Sequence, residues 1–179
     1  MKKLGLIGYP LGHSFSKKYY LEKFRQEQIT DVDYDLYPIP QIADFSKIAS
    51  NKDFYGVNVT IPYKIEVMDY LDELSEEASA IQAVNCIRIS HTADGATQLK
   101  GYNTDAYGFE ASIRPLINPQ VDKKALILGN GGAAKAVIYA LNRLGIMHSL
   151  VSRTKGAEQL TYDELDAAIL ADHTVIINC

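Results

Sequence analysis

Long apolar runs are missing from this chain: it has no stretch of about 18 apolar residues, the length that carries a helix across a bilayer. The opening "MKKLGLIGYPLGH" sets charge before an apolar stretch that is short and broken by Gly and Pro, so it does not read as a signal peptide, and the expected compartment is the cytoplasm. Cysteine is scarce as well. Cys86 and Cys179 stand far apart with no CxxC or Cys/His cluster, so neither a disulfide framework nor a zinc site is suggested. No metal is expected, and both cysteines read as small buried fillers. An excess of positive charge is also lacking. With 18 Lys and Arg against 22 Asp and Glu, the net charge is -4, and the basic residues form no long block. Nothing draws the chain in bulk to nucleic acid or an anionic membrane, so an anionic ligand must be held by a local site. Repeats and low-complexity tracts are absent too. What remains is 179 residues, 47% of them hydrophobic, enough for one large domain or two small ones.

Strand and helix signals alternate. "KKLGLIG" is a short apolar run. "YPLGHSFSKKYYLEKFRQEQI" passes from a Pro/Gly loop into a helical pattern with Tyr20, Leu21 and Phe24 on one side. "VDYDLYPI" and "GVNVTI" alternate like strands, the second with Val57, Val59 and Ile61 on one face. "EVMDYLDELSEEASAI" carries Val67, Met68, Leu71, Leu74, Ala78 and Ile81 at helical spacing, and "AVNCIRI" returns to strand. Asp94-Gly95 suits a hairpin turn before a helix starting near Asp105. A boundary near Gly101 divides the chain into domains 1–101 and 102–179. The second opens with an apolar strand, a glycine loop, a helix ended by Gly145 and another apolar strand, a βαβ unit; "YDELDAAILADHTVIINC" adds a short helix and a strand. The expected class is α/β.

"GNGGAA" places Gly129, Gly131 and Ala134 at G-x-G-x-x-G/A spacing between strand and helix, with Asn130, Gly132 and Ala133 completing the turn. Glycine there permits a tight turn and close approach of a pyrophosphate, whose charge the helix N-terminus favours. The bland alternative is a glycine-rich turn without a ligand. After the second strand stand Ser152, Arg153 and Thr154 where an NAD site usually has a carboxylate. A guanidinium with two hydroxyls suits the 2'-phosphate of NADP; taken alone, Arg153 is equally a solvated surface residue.

Polar groups gather in the first half. Ser14 and Ser16 precede a helix, either as N-caps or as hydroxyls that bind a carboxylate beside the helix dipole. His13 is either a base or, the simpler reading, a loop residue packed under a turn. In "NVTIPYK", Asn58 and Thr60 share a strand face and need partners, which a polyhydroxylated ligand supplies. Asn85 and the cluster Asn103, Thr104 and Asp105 add to the set. Taken alone, Asp105 reads as a helix N-cap and Lys64 as a solvated charge in a first helical turn.

The ordered motifs "IGYPLGHSFS", "NVTIPYK", "AVNC", "GYNTDAYGF" and "GNGGAAKA", spanning residues 7 to 136, closely resemble the shikimate dehydrogenase family. That resemblance implies an α/β substrate-binding domain followed by a Rossmann-type NADP-binding domain. The implied reaction is NADPH-dependent reduction of 3-dehydroshikimate to shikimate in aromatic amino-acid precursor synthesis, by a monomer or homodimer. It implies that Ser14 and Ser16 hold the substrate carboxylate, that Thr60, Lys64, Asn85 and Asp105 surround the ring hydroxyls, and that Lys64 and Asp105 are the catalytic pair. Glu76 falls where the family sometimes has an acid near the nicotinamide. Hydride transfer to a ketone builds alkoxide charge, which a lysine ammonium stabilises and protonates while a carboxylate positions it.

The sequence departs from the family pattern at Cys86, where threonine is common, and at Ser152, where asparagine is usual. Between Arg153 and "TYDEL" it is shorter than the family pattern, so the helix and strand after the second Rossmann strand are expected to be missing or compressed. "VIINC" matches the beginning of a motif that normally continues, so the Rossmann domain is expected to be C-terminally incomplete. Two rival readings remain: a quinate-active relative using NAD, which Arg153 argues against, and a non-catalytic ligand-binding module.

Overall fold

A computed structural model describes residues 1–179, which divide into two units, Met1–Asn103 and Thr104–Cys179. In the first, β1 (Lys2–Gly8) is followed by α1 (Ser16–Gln26), β2 (Val32–Pro38), α2 (Phe45–Ala49) and β3 (Phe54–Val59). Then come β4 (Glu73–Leu74), α3 (Glu76–Ile81) and the hairpin β5 (Cys86–His91) and β6 (Thr97–Tyr102). The sheet order is β2-β1-β3-β5-β6-β4. β1 runs parallel to β2 and β3, β5 antiparallel to β3, and β6 antiparallel to β5. Gly95, at φ +89, supplies the left-handed residue of the hairpin turn.

Alternation in the strands sorts the side chains onto two sheet faces. Ile7, Val57, Val59, Ile87 and Ile89 pack with Phe45 and Val67 in the main core. Leu6, Leu11 and Tyr34 pack beneath Tyr20 and Phe24 of α1. Leu21 does not join them; it is exposed on the far side of α1. Ile61 also departs from the alternating pattern. β3 ends at Val59, Pro62 has no N–H for a ladder, and the chain turns there with Ile61 72% exposed.

The helical spacing across 66–81 is not one helix. A 3-10 turn (Glu66–Tyr70) gives way to β4 and then to α3. Asp72 draws the chain onto β6: its backbone N–H donates to the Leu99 carbonyl (3.0 Å) and its carboxylate accepts from the Leu99 N–H (2.7 Å). Ser75 then caps α3, its hydroxyl accepting from the Ala78 N–H at 3.1 Å. Met68, Leu71 and Leu74 still reach the core, by an extended path.

The second unit contains α4 (Asp105–Ile113), β7 (Lys124–Leu128), α5 (Gly132–Leu144), β8 (Met147–Ser152), β9 (Gln159–Thr161), α6 (Ala167–Asp172) and β10 (Val175–Asn178). Its sheet is wholly parallel in the order β10-β7-β8-β9, the half-Rossmann arrangement. Ala134, Val137 and Leu141 of α5 lie at helical spacing and bury against Ala125, Ile127 and Ile146. Gly145, at φ +69, closes α5. The strand expected to be missing or compressed after β8 is present as the three-residue β9, but no helix lies in the 153–158 connection. Cys86 is half-buried, whereas Cys179 is exposed and does not act as a core filler. No helix is long and apolar enough to cross a membrane.

Candidate active site

Strand register brings the polar motifs of the first unit to one end of its sheet. Gly8 and Val59 end parallel strands, and antiparallel pairing of Asn58 with Cys86, and of Cys86 with Tyr102, sets Asn85 and Tyr102 at that same end. Backbone bonds join the loops that follow. The Val59 N–H donates to the Asn85 carbonyl (2.8 Å), the Asn85 N–H to Tyr102 (3.0 Å), and the Val84 N–H to the Lys64 carbonyl (2.7 Å). The Tyr9 N–H reaches the Ile61 carbonyl at 3.1 Å, linking two loops that each contain a cis X-Pro bond, Tyr9–Pro10 and Ile61–Pro62.

Within this frame, Ser14, Ser16, Thr60 and His13 line a hollow of about 370 Å³ with Leu6 and Leu11. Neither serine is the helix cap, a position that Phe15 occupies. Ser14 Oγ instead accepts from the Ser16 N–H at 3.3 Å, and Ser16 opens α1. His13 is exposed rather than packed under a turn. Asn58 faces a neighbouring hollow of about 280 Å³, lined also by Tyr34, Cys86, Arg88 and Tyr102. Burial pushes up the Tyr34 phenol and the Cys86 thiol, holding both neutral at ordinary pH.

Lys64 is half-buried in the turn after β3, not in a solvated helical turn. Beside it Tyr63 is buried and donates its hydroxyl to the Ile39 carbonyl at 2.7 Å, which anchors the turn. Asn85 is 8% exposed and Asn103 7%; Asn103 Nδ2 donates to the Ala83 carbonyl at 3.0 Å. That bond fixes the chain two residues before Asp105. Asp105 is the first residue of α4 and Thr104 takes the cap position, so the N-cap expected of Asp105 is not what holds it there. Glu76 opens α3 next to the Ser75 cap, where an exposed carboxylate also favours the helix dipole.

In the second unit, the glycine loop lies at the carboxyl end of β7, beside the end of β10. Gly129 has φ +120, and a Cβ there would meet the Cys179 carbonyl oxygen at 2.5 Å. Gly131 is extended, caps α5 with no side-chain bond, and leaves the space beside its Cα open. Asn130 and Ala133 are exposed and Gly132 half-buried, while Ala134 is 1% exposed under the loop. β7 and β10 flank the point where strand order reverses, the usual crevice for a dinucleotide. Ser152 is buried, its hydroxyl donating to the Thr154 carbonyl, while Arg153 and Thr154 are exposed. Ser152 therefore shapes the turn that presents Arg153 and leaves no hydroxyl proton for a phosphate.

Two contributors escaped the sequence reading. Tyr34 gave only the signal of an apolar strand position. Gly8 is required because a Cβ there would meet Thr60 Cγ2 at 2.5 Å and the Ile61 carbonyl oxygen at 2.9 Å.

Residues 6–87 match the family model described as the shikimate dehydrogenase substrate binding domain. The chain is 40% identical over 157 residues to the shikimate dehydrogenase (NADP(+)) of Maridesulfovibrio salexigens, covering 86% of this chain and 55% of that one. The crystal structure of shikimate dehydrogenase from Thermotoga maritima superposes with a TM-score of 0.81 at 33% identity, covering 98% of this chain and 68% of the other. Shikimate 5-dehydrogenase from Thermus thermophilus, in complex with NADP(H) and shikimate, gives a TM-score of 0.70 at 30% identity, over 86% and 57% of the two chains. The chain thus spans a little over half the length of the curated relatives it matches. In sequence and in fold, it belongs to the shikimate dehydrogenase family.

Proposed function

We propose that this chain serves the NADPH-dependent, reversible reduction of 3-dehydroshikimate to shikimate. The observation that carries the reading is the convergence of Ser14, Ser16, Thr60, Lys64 and Asn85 on one end of the first sheet. The names of the relatives supply the substrate and cofactor class. In this reading the serines meet the substrate carboxylate, and Asn58, Thr60 and Asn85 meet the ring hydroxyls. Lys64 Nζ stabilises the alkoxide and donates its proton, and Asp105 is the second member of the catalytic pair that the family pattern gives.

The second unit fits the cofactor. The open side of Gly131 and the start of the 13-residue α5, where no side chain makes a capping bond, suit a pyrophosphate, and exposed Arg153 suits a 2'-phosphate. NADPH, when bound, supplies the hydride. Gly129 to Ala134, Arg153 and Thr154 would hold it, with Glu76 a further cofactor residue by the family pattern. The partner is this small molecule rather than nucleic acid or membrane, in the cytoplasm, with the protein a monomer or homodimer.

The direct test follows reduced-nicotinamide absorbance with shikimate and NADP, then with NAD or quinate substituted, alongside calorimetric titration of each ligand. Turnover or binding with shikimate and NADP is expected. Binding of neither, or preference for quinate with NAD, refutes the assignment. Lys64→Ala should lower turnover by roughly 10²–10⁴-fold while changing affinity much less; weakened binding with unchanged turnover removes the proton-transfer role.

A further inference from the structure

Tyr34 stands mid-strand in β2 with 1% exposure, and its phenol hydroxyl lies in the interior. A buried hydroxyl needs a partner. Its ring stacks on Tyr20 of α1 with centroids 4.4 Å apart, which fixes the ring plane. Its hydroxyl reaches past β1, the strand between β2 and β3, and donates to Asn58 Oδ1 at 2.9 Å. One buried hydroxyl therefore touches a residue assigned to substrate binding.

An amide has an acceptor end and a donor end, and a half-turn about its last bond exchanges them. We propose that Tyr34 is a positioning residue: by claiming the Asn58 carbonyl oxygen it fixes which way the amide faces, so that Asn58 meets the ligand as a hydrogen-bond donor. The matching ligand group is an acceptor oxygen, a hydroxyl or carboxylate of a cyclic polyhydroxy acid. The inference rests on the proposed shikimate site. Without the phenol, the amide loses the bond that distinguishes its two orientations, and the ligand meets a mixture of donor and acceptor.

The test combines NMR of the ¹⁵N-labelled chain with calorimetric shikimate titrations of wild type, Tyr34→Phe, Asn58→Ala and the double variant. In wild type, the Asn58 side-chain NH₂ should give one sharp pair of signals, which broadens or doubles in Tyr34→Phe. The shikimate Kd should rise about tenfold in Tyr34→Phe, the worth of one hydrogen bond. On the Asn58→Ala background the tyrosine change should add less than about twofold. Wild-type affinity in Tyr34→Phe, or an equal further loss without Asn58, overturns the proposal. If Tyr34→Phe does not fold, Asn58→Asp serves, since it keeps an acceptor for the phenol but has no donor for the ligand. A loss of about tenfold or more supports the donor role, and unchanged affinity overturns it. A wild-type chain that binds no shikimate, yet whose Asn58 signals change in Tyr34→Phe, removes the substrate reading and leaves the positioning intact. Shikimate binding with unchanged Asn58 signals removes the positioning alone.

Discussion

Replacing Gly129 with alanine should destabilise the second unit, and replacing Gly131 should not, although both belong to one loop. At Gly129, φ is +120, where a residue with a Cβ carries about 1–3 kcal/mol of backbone strain. The added Cβ would also lie 2.5 Å from the Cys179 carbonyl oxygen and 3.3 Å from its carbon. Both are backbone atoms, so no rotamer change relieves the contact, and either the loop or the end of β10 must shift. For a unit of this size each kcal/mol lowers Tm by about 4–8 °C, so Gly129→Ala should lose roughly 5–20 °C. At Gly131 a Cβ meets nothing within 4 Å, and Gly→Ala at a cap costs within about 1 kcal/mol. That methyl would, however, occupy the open side assigned to the pyrophosphate. Thermal unfolding by circular dichroism and NADP titration by calorimetry separate the two effects. Unchanged Tm in Gly129→Ala refutes the close approach, and wild-type NADP affinity in a folded Gly131→Ala refutes the phosphate loop.

Arg153→Ala should lower NADP affinity by about tenfold or more while leaving NAD affinity unchanged; an equal effect on both cofactors in competition titrations counts against the 2'-phosphate contact. Gly8→Ala should weaken shikimate binding by displacing Thr60 and the Ile61 carbonyl, with a stability cost of about 1–3 kcal/mol; calorimetry and thermal unfolding read the two. Burial raises the Tyr34 phenol above its ordinary value of 10.0, so the folded chain keeps a proton that the unfolded chain releases. That contribution is whole below about pH 10 and is lost as pH rises through the folded value. Urea midpoints should therefore fall on the alkaline side, less steeply in Tyr34→Phe.

Much of the fold was legible because hydrophobic period and turn chemistry agreed. β7, α5 and β8 were read from apolar runs bracketed by Gly129 and Gly145, and the structure forms them with those glycines at positive φ. The 66–81 segment was not legible, because its helical spacing competes with long-range bonds from Asp72 to Leu99 and from Ser75 to Gly101 that no local pattern reveals. β9 was hidden for a related reason: three residues are too few to show alternation. In the site, Lys64 and Asn85 were visible as motif members, but their linkage through Val84 and Val59 comes from sheet register. Ser152 illustrates the limit of residue type as a guide. Its hydroxyl suited a phosphate on paper, and in the structure it donates to Thr154. Tyr34 looked like core and is core, yet its hydroxyl contacts Asn58 across β1.

In the proposed function, the carboxyl end of β1 and β3 forms the pocket for the polyhydroxy acid. An amide chemical-shift map of the ¹⁵N-labelled chain titrated with shikimate tests it most directly. Saturable shifts are expected at Ser14, Ser16, Thr60, Lys64 and Asn85, with Arg25 and Lys52, away from that end, unmoved. Saturable shifts confined to other residues, or no shifts at all, contradict the account.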